Sequence, residues 1–275
     1  VATFVAISGH RLNMTWFPFD WTATLAGFGI GLIVGITGVG GGSLMTPLLI
    51  SVFHLEKAVA IGTDLWFAGL TKVSGSVAHH RHGHVDYRIT ALLLAGSIPA
   101  SIGTTAWMHM VGMSKKADSA LSFALGIALV LTAVTIVLRP MWHRVGFWLE
   151  RWITDAVRPW LTVACGVALG VMVSLSSIGA GALGATLILL MYPRLPIARL
   201  VGTDIAHAVP LTLVAGVGHA TLGNVEWLLL IELLVGSVPA IWVGARLTKL
   251  LPDFWTRLAL STSLLLAAKK VLLLA

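Results

Sequence analysis

The stretch Gly38-Val39-Gly40-Gly41-Gly42-Ser43-Leu44-Met45-Thr46-Pro47 interrupts an apolar run covering about residues 22–53. That run exceeds the roughly 20 residues a helix needs to cross a hydrocarbon core. Glycine lets the backbone leave helical geometry and lets another backbone or a ligand approach closely. A break at bilayer depth also frees N–H and C=O groups, which must find partners within the protein. A second over-long run covers about 157–192, and its middle reads Ser174-Leu175-Ser176-Ser177-Ile178-Gly179-Ala180-Gly181. The pair of breaks decides the fold.

The two runs are copies. Val39-Gly40-Gly41-Gly42-Ser43-Leu44 aligns with Ile178-Gly179-Ala180-Gly181-Ala182-Leu183 at an offset of 139, and the downstream motifs align at 140. Ile61-Gly62-Thr63-Asp64 meets Val201-Gly202-Thr203-Asp204, and His79 meets His219. Gly83-His84-Val85-Asp86-Tyr87 meets Gly223-Asn224-Val225-Glu226-Trp227. Gly96-Ser97-Ile98-Pro99-Ala100 meets Gly236-Ser237-Val238-Pro239-Ala240. A near-constant offset identifies a duplication.

Composition agrees with a membrane protein. Of 275 residues, 57% are hydrophobic, 29 more are glycine, and only 11% are charged. A soluble domain carries about 25% charge, and disorder requires low hydrophobicity. Long apolar runs without strict alternation favour helices over a β-barrel. The net charge of +7 reads as basic loops facing anionic lipid rather than as a nucleic-acid surface. Cys165 is the single cysteine and forms no intramolecular disulfide. No cleavable signal peptide is evident.

Eight apolar segments are predicted, at about 22–53, 58–80, 88–112, 117–139, 157–192, 197–220, 227–250 and 254–275. Trp16, Phe17, Phe19 and Trp21 suit an interfacial belt in an N-terminal segment, 1–21. The repeats are 22–139 and 157–275, joined by a basic linker at 140–156. That linker region holds Trp142, Trp148 and Trp152 and reads as an amphipathic stretch on the membrane surface.

The orientation of the halves turns on the broken segments. If each crosses once, the repeats are parallel. If each enters and returns, they are inverted. With the arginine-rich linker in the cytoplasm, the returning arrangement also places Arg194, Arg199, Arg246, Lys249 and Arg257 there. The single-crossing arrangement moves those five outside and erases the positive-inside bias. The expected fold is therefore an all-α polytopic membrane protein of two inverted repeats. Each repeat is a broken helical hairpin followed by three transmembrane helices, and both termini lie outside the cytoplasm.

Paired breaks in equivalent positions point to a midplane substrate site, where half-helix N-termini favour an anion. The predicted substrate-binding set is Gly40, Gly41, Gly42, Ser43, Thr46, Lys72, Ser176, Ser177, Gly179 and Gly181. For Lys72 two readings stand, an anion-attracting charge and a snorkelling side chain. Its place in the other half is taken by Thr212. A coupling or structural set comprises Thr63, Asp64, His79, Thr203, Asp204, His207 and His219. Asp64 and Asp204 either brace the hairpins or carry protons. Asp204 and His207 share a helix face. Glu232, one turn into its segment, reads as interfacial. The cluster His79-His80-Arg81-His82-Gly83-His84 reads as a basic turn. A metal-binding role for it is the weaker reading. No nucleotide motif or catalytic triad appears, so neither a cofactor nor an enzyme is expected.

These motifs resemble the sulfite exporter TauE/SafE family of membrane transporters. The likeness rests on Gly-Val-Gly-Gly-Gly-Ser-Leu-Met-Thr-Pro at 38–47, Ala-Ile-Gly-Thr-Asp at 60–64, His-Arg-His-Gly-His-Val-Asp-Tyr-Arg at 80–88 and Gly-Ser-Ile-Pro-Ala at 96–100. It extends over about 22–275. The family often has Ser at the places of Asp64 and Asp204, and here the second glycine run is reduced to Gly179-Ala180-Gly181. The resemblance implies secondary transport, in the export direction, of a small sulfur-containing anion such as sulfite or an organosulfonate across the inner membrane. The partners are that anion and the bilayer, with a homodimer left open. An anion channel and a membrane-embedded metalloenzyme built on His79–His84 are the alternatives.

Overall fold

The computed structural model describes residues 21–37, 42–112, 115–247 and 253–273. The described residues form eleven helices and no strand. The first apolar run becomes α1 (Trp21–Thr37) and α2 (Gly42–Ser51), and α3 (Lys57–Arg81), α4 (Tyr87–Val111) and α5 (Lys115–Val137) follow. α6 (Arg139–Glu150) occupies the linker. The second run gives α7 (Arg158–Ser176) and α8 (Ala182–Met191), then α9 (Ile197–Thr221), α10 (Trp227–Leu247) and α11 (Asp253–Leu273). Five helices are long and apolar enough to cross a membrane, within α4, α5, α7, α9 and α10. The chain is an all-α polytopic membrane protein. The expected N-terminal interfacial segment lies outside the described residues.

The halves interleave. α1 packs most extensively on α10, α7 on α4, α3 on α9 and α5 on α11. Each pair joins one half to the other, and the first two pairs are sequence equivalents of each other. Small residues permit the approach. A Cβ on Gly27 would stand 2.3 Å from the Leu233 carbonyl oxygen, and one on Gly166 would stand 2.3 Å from that of Leu93. Gly236 faces the Thr24 oxygen at 1.9 Å and Gly96 the Val163 oxygen at 2.1 Å on the same construction. Each glycine contact thus recurs at its repeat position. The register makes α1 parallel to α10 and α7 parallel to α4.

α3 and α9 run antiparallel, Gly62 lying by His219 and Gly202 by His79. Each carries a threonine that grips the turn following the other. Thr203 Oγ1 accepts from the Asp86 N–H at 2.9 Å, and Thr63 Oγ1 accepts from the Glu226 N–H at 3.0 Å. The turns themselves match. Gly83 and Gly223 have φ of 67° and 76°. His84 N–H reaches the His79 carbonyl at 2.9 Å, and Asn224 N–H reaches that of His219 at 3.0 Å.

Ion pairs tie neighbouring turns at the two ends of the bundle. Arg194 meets Glu150 at 3.1 Å and Arg199 meets Asp86 at 3.9 Å, holding the α8–α9 turn beside α6 and the α3–α4 turn. At the start of α3, Lys57 pairs with Asp118 of α5 at 3.0 Å. α6 is amphipathic and lies against α8, with Gly146 on the backbone of Leu189. Trp142 donates from Nε1 to the Thr135 carbonyl at 3.0 Å.

Candidate substrate site at the helix breaks

The second break is built by backbone chemistry. α7 ends at Ser177 in the left-handed region (φ 59°), and Gly179 and Gly181 follow at φ 127° and 151°. Glycine adopts such angles without the strain a side chain would bring. Ser176 Oγ donates to the Met172 carbonyl at 2.6 Å and accepts from the Ile178 N–H at 3.2 Å, so it closes the helix end. α8 restarts through Gly184 N–H to the Gly179 carbonyl at 2.9 Å. At the first break, Gly40 and Gly41 lie outside the described residues, whereas Gly42 and Ser43 open α2.

Two aspartates reach the short helices. Asp64, on α3, accepts a hydrogen bond from Thr46 of α2. Asp204, on α9, lies against Gly184 of α8, where a Cβ would stand 2.2 Å from its Oδ1. The pattern is the same in both halves, although Thr46 has no hydroxyl counterpart in α8. Ser177 stands near the Asp64 carboxyl without closing a hydrogen bond.

Lys72 joins these parts. Its ammonium donates to the carbonyl of Ala180 in the second break. It also interacts electrostatically with Asp204, Asp64 and His207. The lysine of one half therefore satisfies a carbonyl freed by the other half's break. Among the described residues, Asp64 Oδ1, Ser177 Oγ, Asp204 Oδ1 and His207 Nδ1 are buried without a hydrogen-bond partner. Buried polar atoms are rarely left unpaired, and such atoms mark places of chemical use.

The structure brings Thr46, Asp64, Lys72, Ser177, Gly179 and Asp204 to one neighbourhood. Thr63 and Thr203 sit elsewhere, as the two interlocks described above. His207 bonds Ser97 through Nε2 at 2.9 Å, and His219 bonds the Ser174 carbonyl at 2.8 Å. Ser97 and Ser174 entered the sequence reading only as members of a repeat motif and of the second break, and Ser101 not at all. Small hydroxyl residues are common in membrane helices, so nothing local marks them. Glu232, expected near the interface, has a buried side chain (3% exposed), and its helical neighbours Leu230 and Leu233 belong to a buried apolar cluster.

The histidine loop is a turn. His80 bonds Tyr87, and His82 stacks on His84 at 5.8 Å. Among the described residues, no three of His, Cys, Asp and Glu stand together for a metal ion. A cavity of about 430 Å³ lies away from the breaks, among Glu56, Lys57, Ala58, Met108, Leu222 and Asn224.

Broken helices that meet around Asp64, Asp204 and Lys72 in a polytopic bundle are the arrangement in which membrane transporters build a substrate site. The chain belongs to the sulfite exporter TauE/SafE family, whose model matches residues 23–271. It is 35% identical over 227 residues to YjnA of Bacillus subtilis, covering 82% of this chain and 88% of that protein. It is 29% identical to YdhB of the same organism, covering 82% and 89%. A Xylella fastidiosa protein is 25% identical over 86% of this chain and 85% of its own length. All three are described as probable membrane transporter proteins. No solved structure gives a significant match.

Proposed function

We propose that the protein is a secondary transporter of a small sulfur-containing anion such as sulfite or an organosulfonate, exporting it across the inner membrane. The single observation carrying this reading is Lys72 at the Ala180 carbonyl, a half-buried cation placed at the second break. The family's description as sulfite exporters supports the substrate class.

The charges suggest how coupling works. Lys72 faces two carboxylates, Asp64 and Asp204. With all three ionised the group carries one net negative charge, and a further anion would be repelled in a medium of low dielectric. An anion that arrives with a proton leaves the charge unchanged. The oxyanion replaces the Ala180 carbonyl as partner of the ammonium, while Ser177 and the break's N–H groups donate to its other oxygens. Thr46, Gly179, Gly181 and Ser176 shape the break. Gly40, Gly41, Gly42 and Ser43 complete the proposed set of substrate-binding residues. Asp64 and Asp204 carry the proton and brace α2 and α8.

The architecture we propose is two inverted repeats, 22–139 and 157–275, each a broken hairpin and three spanning helices, joined by the basic stretch 140–156. Antiparallel packing of the equivalent helices α3 and α9 supports it. So does the position of Arg194 and Arg199 beside Glu150 and Asp86.

The test is flux into liposomes bearing the purified chain, with sulfite, sulfate, thiosulfate and a sulfonate offered in turn. Saturable, proton-dependent flux of at least one sulfur oxyanion is expected. Lys72→Met should raise its half-saturation concentration about tenfold or more, as loss of roughly 1.4 kcal/mol of binding requires. Unchanged affinity for every anion removes Lys72 as a ligand. Non-saturable flux makes the protein a channel, and absence of flux overturns the proposal.

A further inference from the structure

A file of buried polar side chains runs between the Lys72 cluster and the cavity. His207, one turn from Asp204 on α9 and within the field of the Lys72 charge, meets Ser97 Oγ at 2.9 Å. Ser101 lies one turn further along α4 and accepts from the Ser174 hydroxyl at 2.8 Å. The Ser174 carbonyl holds His219 Nε2 at 2.8 Å. His219 also lies beside the backbone of Ala58, which lines the cavity with Leu222 and Asn224. All five side chains are 0% exposed. His207 Nδ1 and His219 Nδ1 have no hydrogen-bond partner.

Packing does not require this polarity. The equivalent interface of α10, α1 and α3 has Ser237, Ile241, Gly35 and Phe67 where the file has Ser97, Ser101, Ser174 and His207. There Ser237 turns back to its own helix, at the Leu234 carbonyl. The same helix pairing is thus made without Ser101, Ser174 and His207, while Ser237 and His79 keep the places of Ser97 and His219. Hydroxyls and imidazoles buried in a membrane interior cost free energy and mark ion or proton routes. A metal cation needs several oxygens converging on one point, and here the contacts are pairwise: His207 with Ser97, Ser101 with Ser174, and His219 with the Ser174 carbonyl. Imidazole takes a proton on one nitrogen and releases it from the other, and a hydroxyl both donates and accepts.

We infer that His219, Ser174, Ser101, Ser97 and His207 form a proton path joining the cavity end of the bundle to the Lys72–Asp204 cluster. A proton arriving at His219 passes to the Ser174 hydroxyl through a bridging water. It moves on to Ser101, crosses about 6 Å of helix rise to Ser97 through a second bridging water, and reaches His207. From there it passes to Asp204, one turn away on α9. The charged groups around the path are Lys72 and Asp204 at one end and Glu56, Lys57 and Asp118 in the cavity wall at the other. The use of the path rests on the proton-coupled transport proposed above, whereas its conduction does not.

The experiment is ¹⁵N NMR of the full chain, ring-labelled at histidine, in lipid nanodiscs without any anion. Exchange of the His207 ring proton with water should be readily measured in the unaltered protein. In a Ser101→Ala, Ser174→Ala double variant it should slow at least about tenfold, the signature of an added barrier. His219 exchange should stay fast. Ser237→Ala, the change at the equivalent position of Ser97, should alter neither ring. Equal His207 exchange in the double variant, or a ring fully protected in the unaltered protein, overturns the path. Matched thermal unfolding establishes that each variant is folded. Sulfite flux on the same preparations separates the two proposals. Absent flux with ring exchange behaving as expected removes the transport reading and leaves the path standing.

Discussion

Lys72 and Thr212 occupy equivalent places, yet Lys72 hydrogen-bonds across to a break of the other half. Thr212 instead donates to the Ala208 carbonyl of its own helix at 2.9 Å. The duplicated frame thus carries different side chains at equivalent places. Glycine shows the frame itself. A Cβ on Gly96 would collide with a backbone oxygen at 2.1 Å, whereas one on Gly103 would meet nothing within 4 Å. Gly96→Ala should therefore cost about 1–3 kcal/mol through overpacking against an unyielding backbone. Gly103→Ala should be neutral or stabilise by up to about 1 kcal/mol, since Ala is the better helix former. Thermal unfolding in detergent measures both, and a loss at Gly103 as large as that at Gly96 would contradict the packing account. Sequence alone ranked neither glycine, because the number of glycines does not say which of them faces another backbone. It did find Lys72, Asp64 and Asp204, since a charge within an apolar run is conspicuous.

At the scale of elements, two threonine interlocks fasten α3 and α9. Each leaves a turn N–H satisfied from the opposite half, Glu226 by Thr63 and Asp86 by Thr203. Thr63→Val and Thr203→Val preserve shape and remove the acceptor. Each should destabilise by about 1 kcal/mol, the net worth of a hydrogen bond whose donor is only partly buried. The two effects should be alike, because the surroundings repeat. Unfolding midpoints in mild detergent check this, and a large effect at one threonine with none at the other would break the equivalence. These helices were legible from hydropathy to within a residue or two: α3 at Lys57–Arg81 against an expected 58–80, and α9 at Ile197–Thr221 against 197–220. The breaks were legible too, as glycine and serine interrupting over-long runs. The helical form of α6 was less so, because its apolar and basic residues alternate over a stretch too short for a spanning signal. Which elements pair was not legible. Interleaving depends on faces meeting across long stretches of chain, from Gly96 to Val163 in one pair and from Thr24 to Gly236 in another, and a repeat in sequence does not reveal whether its copies pack within or between halves.

At the scale of the whole molecule, the two ends of the bundle differ in charge. Arg194 lies by Glu150, and Arg199 by Asp86, so the α8–α9 turn, α6 and the α3–α4 turn share one end. His54, in the turn between α2 and α3, belongs to the other end, where Lys57 meets Asp118. The end holding the turns near Arg81, Arg88, Arg144, Arg151, Arg194 and Arg199 is rich in arginine, and the positive-inside rule assigns it to the cytoplasm. Because Cys165 is the single cysteine, Cys165→Ser provides a background without thiols. In that background His82→Cys and Arg194→Cys should react with a membrane-impermeant maleimide only after the inner face is opened. His54→Cys should react in intact cells. A single crossing by α7 and α8 would instead put residue 194 on the outer side while leaving residue 82 inside. Labelling of Arg194→Cys in intact cells would therefore exclude the returning hairpin, and with it the inverted relation of the halves. Labelling restricted to opened membranes at both 82 and 194 requires that the second broken segment enter and leave by the same face. That geometry brings the Ala180 break to the interior of the bundle, where Lys72 of the first half can reach it.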